Sequence, residues 1–212
     1  MPPARGRFIS IEGIEGSGKS TLRAGLVATL RAYRATSVQV VEPRAPGGTA
    51  LGESVRALFL DPAGRIEART EALLLNAARA QLVRERIAPA LAAGIWVVSD
   101  RFSTSTLAYQ GYGRGLELDG LRSLAAFATG GLEPDLVLLV DIPPEVSRER
   151  LRGRPGADDR VEREDDAFHA RVREGYLELA AADARLCVLD GTLGPGDLLR
   201  AAFEHVEGLI AS

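Results

Sequence analysis

One segment near the N-terminus carries the residue types that polyphosphate chemistry needs. Gly13-Ile14-Glu15-Gly16-Ser17-Gly18-Lys19-Ser20 matches the pattern G-x-x-x-x-G-K-[ST] in full, and Thr21 follows it. Glycines let successive backbone N–H groups turn inward onto phosphate oxygens. The lysine reaches the outer phosphates, and the Ser20 hydroxyl can ligate Mg²⁺. With 23 Gly and one Lys in 212 residues, the fixed positions would coincide by chance on the order of once in a thousand such chains. An apolar run precedes the segment and a helical pattern follows it, as a phosphate-binding loop requires. A glycine-rich turn that binds nothing is the plain alternative.

The chain holds 26 Lys plus Arg, yet Lys19 is its only lysine. A drift toward arginine accounts for the other positive sites and leaves Lys19 as the exception. A compact ammonium on a flexible stem fits a narrow cradle that a planar guanidinium does not. The cradle alone does not separate a kinase from a GTPase or a motor. A GTPase would need a second lysine in an Asn/Thr-Lys-x-Asp motif, which this chain cannot supply. A short chain with an arginine-rich segment favours a kinase for small molecules.

Candidates for an acceptor side lie further along. Asp100-Arg101 ends the apolar run Ile95–Ser99, and open parallel sheets bind ligands at that end of their strands. Arg101 can face an acceptor phosphate, with Asp100 holding a Mg²⁺ water or orienting Arg101. A strand-end ion pair without a ligand is equally compatible. Arg79, among the small residues Ala77, Ala78 and Ala80, is a second candidate or a solvated helix charge. The stretch Ser103–Gly115 offers hydroxyls, Tyr109 and Gln110; it suits hydrogen bonding to a planar base, or a surface loop.

The elements that must position these residues alternate. Strand patterns fall at residues 8–11, 38–41, 95–98, 136–140 and 186–189. Helical patterns fall at 20–34, 50–60, 69–93, 118–129, 144–152 and 165–182, with a last helix after 189. Strands without polar alternation predict a five-stranded parallel sheet covered on both faces, a three-layer α/β/α sandwich in a single domain over residues 1–212. Residues 153–164 are too charged for a core and read as an ordinary loop or a short arginine-rich lid.

Composition excludes several classes. A net charge of −3 gives no reason to expect a nucleic-acid or membrane partner. No apolar run approaches the ~20 residues of a bilayer span, and no signal-peptide core precedes the first strand. Cys187, the only cysteine, reads as a small core residue. These features predict a cytoplasmic protein.

Several strings together resemble bacterial thymidylate kinase along nearly the full chain. They are Ile11–Ser20 with its acidic Glu15, Arg44-Ala45-Pro46-Gly47-Gly48-Thr49, Ala77-Ala78-Arg79, Asp100-Arg101-Phe102, Ala108–Gly115, Asp159-Arg160-Val161-Glu162 and Arg173-Glu174-Gly175-Tyr176. The resemblance implies a P-loop kinase that moves a phosphoryl group from ATP to dTMP with Mg²⁺, as a homodimer. It implies that Gly13 to Thr21 bind ATP and that Arg79 and Arg101 bind the acceptor phosphate. Ser105, Thr106, Tyr109 and Gln110 would line the nucleoside pocket with Arg44 and Leu75, and Glu15 would stand between the loop and the acceptor. The lid would supply the cation over the transferring phosphate, with Arg154 and Arg160 ahead of Arg150 and Arg152. Ala45, Phe102 and Leu75 depart from the family pattern, which places Glu, Tyr or His, and a base-stacking Phe there. Two other readings stay open. One is a kinase of the same fold for another nucleotide or nucleoside, favoured by Leu75. The other is a non-catalytic nucleotide-binding relative, opposed by Lys19, Ser20 and Arg101.

Overall fold

A computed structural model describes residues 5–33, 40–152 and 159–210. Five parallel strands form one sheet: β1 (Phe8–Glu12), β2 (Val40–Val41), β3 (Trp96–Asp100), β4 (Leu136–Asp141) and β5 (Leu186–Asp190), in the order β2-β3-β1-β4-β5. The register pairs Ile9 with Val98 and with Leu136 across the central strands. Ile9 and Ile11 pack into a cluster with Leu22, Leu26 and Leu30 of helix α1 (Lys19–Ala32), while Phe8 joins a separate cluster with Leu82 and Phe102. The sheet is therefore buried on both faces, which is why its strands show no polar alternation. Leu22, Leu26 and Leu30 recur every fourth position, and burying each stabilises the fold by roughly 1.5–3 kcal/mol.

The chain leaves β1 through α1 toward β2, and leaves β3 toward β4 on the other side. The connections out of neighbouring strands β1 and β3 thus run to opposite sides, and a crevice opens beyond their carboxyl ends. Around it lie α2 (Ala50–Leu60), α3 (Ala68–Leu82), α7 (Pro144–Arg152), α8 (Asp166–Ala182) and α9 (Pro195–Ile210). The long helical pattern at 69–93 is interrupted by a π-helical segment, Val83–Ile87, before α4 (Ala88–Ala92). Pro89 has no N–H to bond the Glu85 carbonyl, and its ring crowds that oxygen, so the turn widens.

The stretch read as a glycine-rich polar segment is helical: α5 (Ser103–Thr106) continues into a π-helical segment, Leu107–Gly113. Its glycines depress helix propensity, but packing decides here. A Cβ on Gly113 would stand 2.7 Å from the Phe168 ring of α8, so only glycine permits the approach. Helix α6 (Leu118–Thr129) follows. Residues 38 and 39 of the second strand pattern, 34 of the first helix and 153–158 of the lid lie outside the described residues. Among the described residues no helix is long and apolar enough to cross a membrane.

Candidate active site

The phosphate cradle sits between β1 and α1. Gly13 adopts φ 138°, and a Cβ there would meet the Val140 carbonyl oxygen at 2.4 Å, so the turn out of β1 demands glycine. Lys19 opens α1 and folds back: its Nζ donates to the Ile14 carbonyl at 2.7 Å and to Ser17 Oγ at 3.4 Å. Ser147 Oγ of α7 donates to the Glu15 carbonyl at 2.7 Å and fastens the loop from above. The cradle forms one wall of a cavity of about 920 Å³ that reaches from Gly191 and Leu193 to Leu75, Arg79 and Gln110.

Burial, then the nearby Arg101 charge, push Lys19 down to about 8, against opposing attraction from Glu15, Asp100 and Glu12. Because the folded value lies below the unfolded one, the charged lysine costs stability below pH 8. That cost fades as pH rises from 8 toward 10.5. A polyphosphate favours the ammonium form. ATP binding is therefore expected to take up about half a proton at pH 8 and little at pH 6.5, with affinity falling above pH 8. Calorimetry in buffers of different ionisation heat measures this; zero uptake at pH 8 would contradict the assignment.

Across the crevice, Arg101 follows β3 in the left-handed region, with φ 67°. Its N–H donates to the Ile11 carbonyl at 3.0 Å and its carbonyl accepts from Ser99 Oγ at 2.7 Å, which hold that backbone. The guanidinium donates to Glu15 Oε1 at 2.7 Å, Tyr109 OH at 3.0 Å, Tyr176 OH at 3.0 Å and Ser105 Oγ at 3.1 Å. It also lies over the Tyr109 ring. Burial alone would raise Glu15, but Arg101, Lys19 and the Tyr109 hydroxyl outweigh it and hold the carboxyl below its ordinary range. Burial pushes the Tyr109 and Tyr176 phenols up, so both stay hydrogen-bond donors at neutral pH.

Glu12 lies beneath them, fully buried at the end of β1. Its carboxylate accepts from Phe102 N at 2.7 Å, Ser10 Oγ at 2.9 Å, Tyr176 OH at 3.0 Å and Ser105 Oγ. It thus fixes the turn that carries Arg101. A carboxylate at the end of an otherwise uncharged strand was the signal for it, and the sequence reading passed over it.

Arg79 is buried in α3 and donates to Asn76 Oδ1 at 2.8 Å, Thr106 Oγ1 at 2.9 Å and the Phe102 carbonyl at 3.0 Å. It is not a solvated helix charge. Burial lowers it to about 10, because no carboxylate bonds it directly. Leu75 lies one turn before it on the same face, and both line the cavity with Ser105, Thr106, Tyr109 and Gln110. Phe102 is fully buried beside Phe8, under the Arg79 guanidinium, and does not line the cavity. Arg44 and Arg56 stand at the rim. Arg44 donates to Glu53 Oε2 at 2.7 Å, and Arg56 donates to the Pro46 carbonyl at 3.3 Å. Arg56 went unnoticed in the sequence, although it is the only basic residue of α2. The Asp100 carboxylate lines the same cavity as Ser20, lies close enough to Lys19 to favour its charge, and has no hydrogen-bond partner among the described residues.

The lid expectation needs correction at Arg160. Its guanidinium turns away from the cavity, donating to the Phe59 carbonyl at 3.0 Å and to Glu71 and lying over the Phe59 ring. A buried carboxylate offers it more than an open crevice does. Arg154 lies outside the described residues. Arg150 of α7 instead adjoins the cradle, donating to the Gly16 carbonyl at 3.2 Å and the Gly191 carbonyl at 2.9 Å.

Comparison with known proteins agrees with this geometry. The profile of the family described as "Thymidylate kinase" matches residues 11–201. Thymidylate kinase of Carboxydothermus hydrogenoformans is 49% identical over 205 residues, covering 97% of this chain and 98% of the relative. That of Deinococcus radiodurans is 50% identical over 199 residues, covering 93% and 94%. That of Cupriavidus necator is 48% identical over 209 residues, covering 98% and 99%.

Proposed function

We propose how the site divides its work from one premise: this chain belongs to the thymidylate kinase family. It is an enzyme that phosphorylates dTMP with ATP, giving dTDP and ADP. The observation that carries the reading is that Lys19, Arg101 and Arg79 all line one cavity. An acceptor phosphate oxygen attacks the γ-phosphorus as the bond to the ADP oxygen breaks. Little covalent work falls to the protein, so positioning and charge neutralisation dominate.

Gly13 to Thr21 hold the triphosphate, and Lys19 draws charge from its outer oxygens. Arg101 and Arg79 meet the acceptor, with Arg44 and Arg56 adding positive potential at the rim. Ser105, Thr106, Tyr109 and Gln110 line the nucleoside, and Leu75 lies against the base. Glu15 aims Arg101. Arg154 remains the lid candidate for the transferring phosphate, and Arg150 steadies the cradle through the Gly16 carbonyl. Ser20 and Asp100 form a hard-oxygen pair that fits Mg²⁺, directly or through water, and the unbonded Asp100 carboxylate supports that fit. When bound with ATP, the ion neutralises phosphate charge.

A second copy of the chain is the proposed cover for Leu58, Leu73 and Phe127, which α2, α3 and α6 leave 59%, 58% and 89% exposed. Phe127→Arg is expected to yield monomers by light scattering; an unchanged dimer would move the interface elsewhere. The cytoplasm, where both charged nucleotides are made and used, is the proposed location.

Incubating the protein with ATP, Mg²⁺ and a panel of nucleoside monophosphates, and following ADP, tests the reaction. ADP release that requires dTMP is expected; release with another monophosphate but not dTMP overturns it. Leu75→Phe in the same assay should tighten dTMP binding roughly three- to tenfold, since a stacked ring adds about 0.5–1.5 kcal/mol beyond its area. Weaker binding would show that Phe59 or Tyr109, which also line the cavity, already fills that space.

A further inference from the structure

Asn76 is a buried amide in α3, one turn before Arg79, and it does not line the cavity. Its Nδ2 donates to the Ala72 carbonyl at 2.8 Å, so its Oδ1 must face the other way, where Arg79 Nη1 donates to it at 2.8 Å. The other partners of Arg79 are also uncharged. Nη2 uses both its hydrogens on the Phe102 carbonyl and Thr106 Oγ1. Nε is buried without a partner among the described residues. The second hydrogen of Nη1 is therefore the one left for a ligand, and Asn76 holds that nitrogen. Other enclosed arginines are held differently. Arg101 pairs with Glu15, Arg114 and Arg160 with Glu71, and Arg173 with Asp141. Arg79 is only 3% exposed, more buried than any of these, yet it bonds no carboxylate among the described residues. Aspartate has the shape of asparagine and would compensate the buried charge; asparagine does not.

We propose that Asn76 is a positioning residue for the acceptor: it aims Arg79 through a neutral contact, so the guanidinium is fixed while its charge stays uncompensated until an anion arrives. The dTMP phosphate then brings the missing counter-charge. Attraction is strongest where the cation has no competing partner and water is scarce. A carboxylate at position 76 would aim Arg79 equally well but would stand in for the ligand. Asn76 itself touches no ligand. The inference rests on the reading that Arg79 meets the acceptor phosphate, and it adds what keeps that charge available.

The test measures steady-state kinetics and melting temperature for the wild type, Asn76→Leu, Asn76→Asp, Arg79→Met and the Asn76→Leu, Arg79→Met double variant. Asn76→Leu removes the aim and leaves the charge, so KM for dTMP should rise roughly three- to tenfold. Asn76→Asp keeps an acceptor but adds a counter-charge. Its KM for dTMP should rise roughly tenfold or more, while inhibition by thymidine, which lacks the phosphate, should change less than about twofold. KM for ATP should stay within about twofold in both. Adding Asn76→Leu to Arg79→Met should change KM for dTMP less than about twofold further, because the group it aims is gone. A merely structural asparagine would instead shift ATP and dTMP together and add its full effect in that background, which would overturn the inference. An unchanged KM for dTMP in Asn76→Asp overturns it, and so does thymidine weakened as much as dTMP. Should Asn76→Leu not fold, Asn76→Ala takes its place, with the same shifts required. If Arg79→Met leaves KM for dTMP unchanged, it is the assignment of Arg79 to the acceptor that fails.

Discussion

Replacing Lys19 with alanine is expected to lower kcat/KM by ~10³ or more while leaving the fold intact. The ammonium is the only lysine in the chain and already sits in the cradle, 2.7 Å from the Ile14 carbonyl. Its burial depresses its basicity, so the folded protein gains nothing from the charge itself. Removing it should therefore be neutral or slightly stabilising in thermal unfolding. Lys19→Arg should fail nearly as badly, because the planar fork is wider than the loop allows. Lys19→Met, with similar length and no charge, separates bulk from charge and should match alanine. The measurement pairs steady-state turnover with melting temperature. Near-normal turnover in any of the three would remove Lys19 from the reaction, and a collapsed melting temperature would make its role structural.

The sheet was legible because each strand is a short apolar run bounded by glycine or charge. The cradle was legible because its spacing is a local property of the chain. What escaped was set by tertiary contacts. The segment from Ser103 to Gly113 carries hydroxyls and glycines that argue against a helix, yet α8 and Leu118 press it into helical turns. The spacing of Arg79 left open an acceptor ligand or a solvated charge, because nothing in its own helix announces that α5 covers it; Thr106 and the Phe102 carbonyl do so from 23 to 27 residues away. Arg160 looked free to swing because the lid is so charged. Its true partner, Glu71, is 89 residues distant and buried. Glu12 and Glu71 share one lesson. A lone carboxylate in an apolar stretch is a demand for donors, and the donors come from elements that sequence periodicity cannot pair.

Arg101→Met is expected to lower kcat/KM for dTMP by about 10²–10³, with ATP affinity changed less than about threefold. The loss has two possible origins, and the structure shows how to separate them. Arg101 binds Glu15 at 2.7 Å, and both side chains are mostly buried, at 17% and 18% exposure. Taking away the cation strands the carboxylate beneath the cradle, which should cost up to ~3 kcal/mol of stability and disturb the loop. Glu15→Gln in the same chain removes that stranded charge. The double variant should regain most of the lost stability, because a neutral amide still accepts from the Tyr109 hydroxyl. It should not regain turnover, because no cation then faces the acceptor phosphate. Arg101→Lys should fall between, since one ammonium cannot reach Glu15, Ser105 and both tyrosines as the guanidinium does. Kinetics and melting temperatures of the three variants decide the matter. Recovery of turnover in the double variant would reduce Arg101 to a counterion for Glu15 and pass the acceptor phosphate to Arg79 and Arg56.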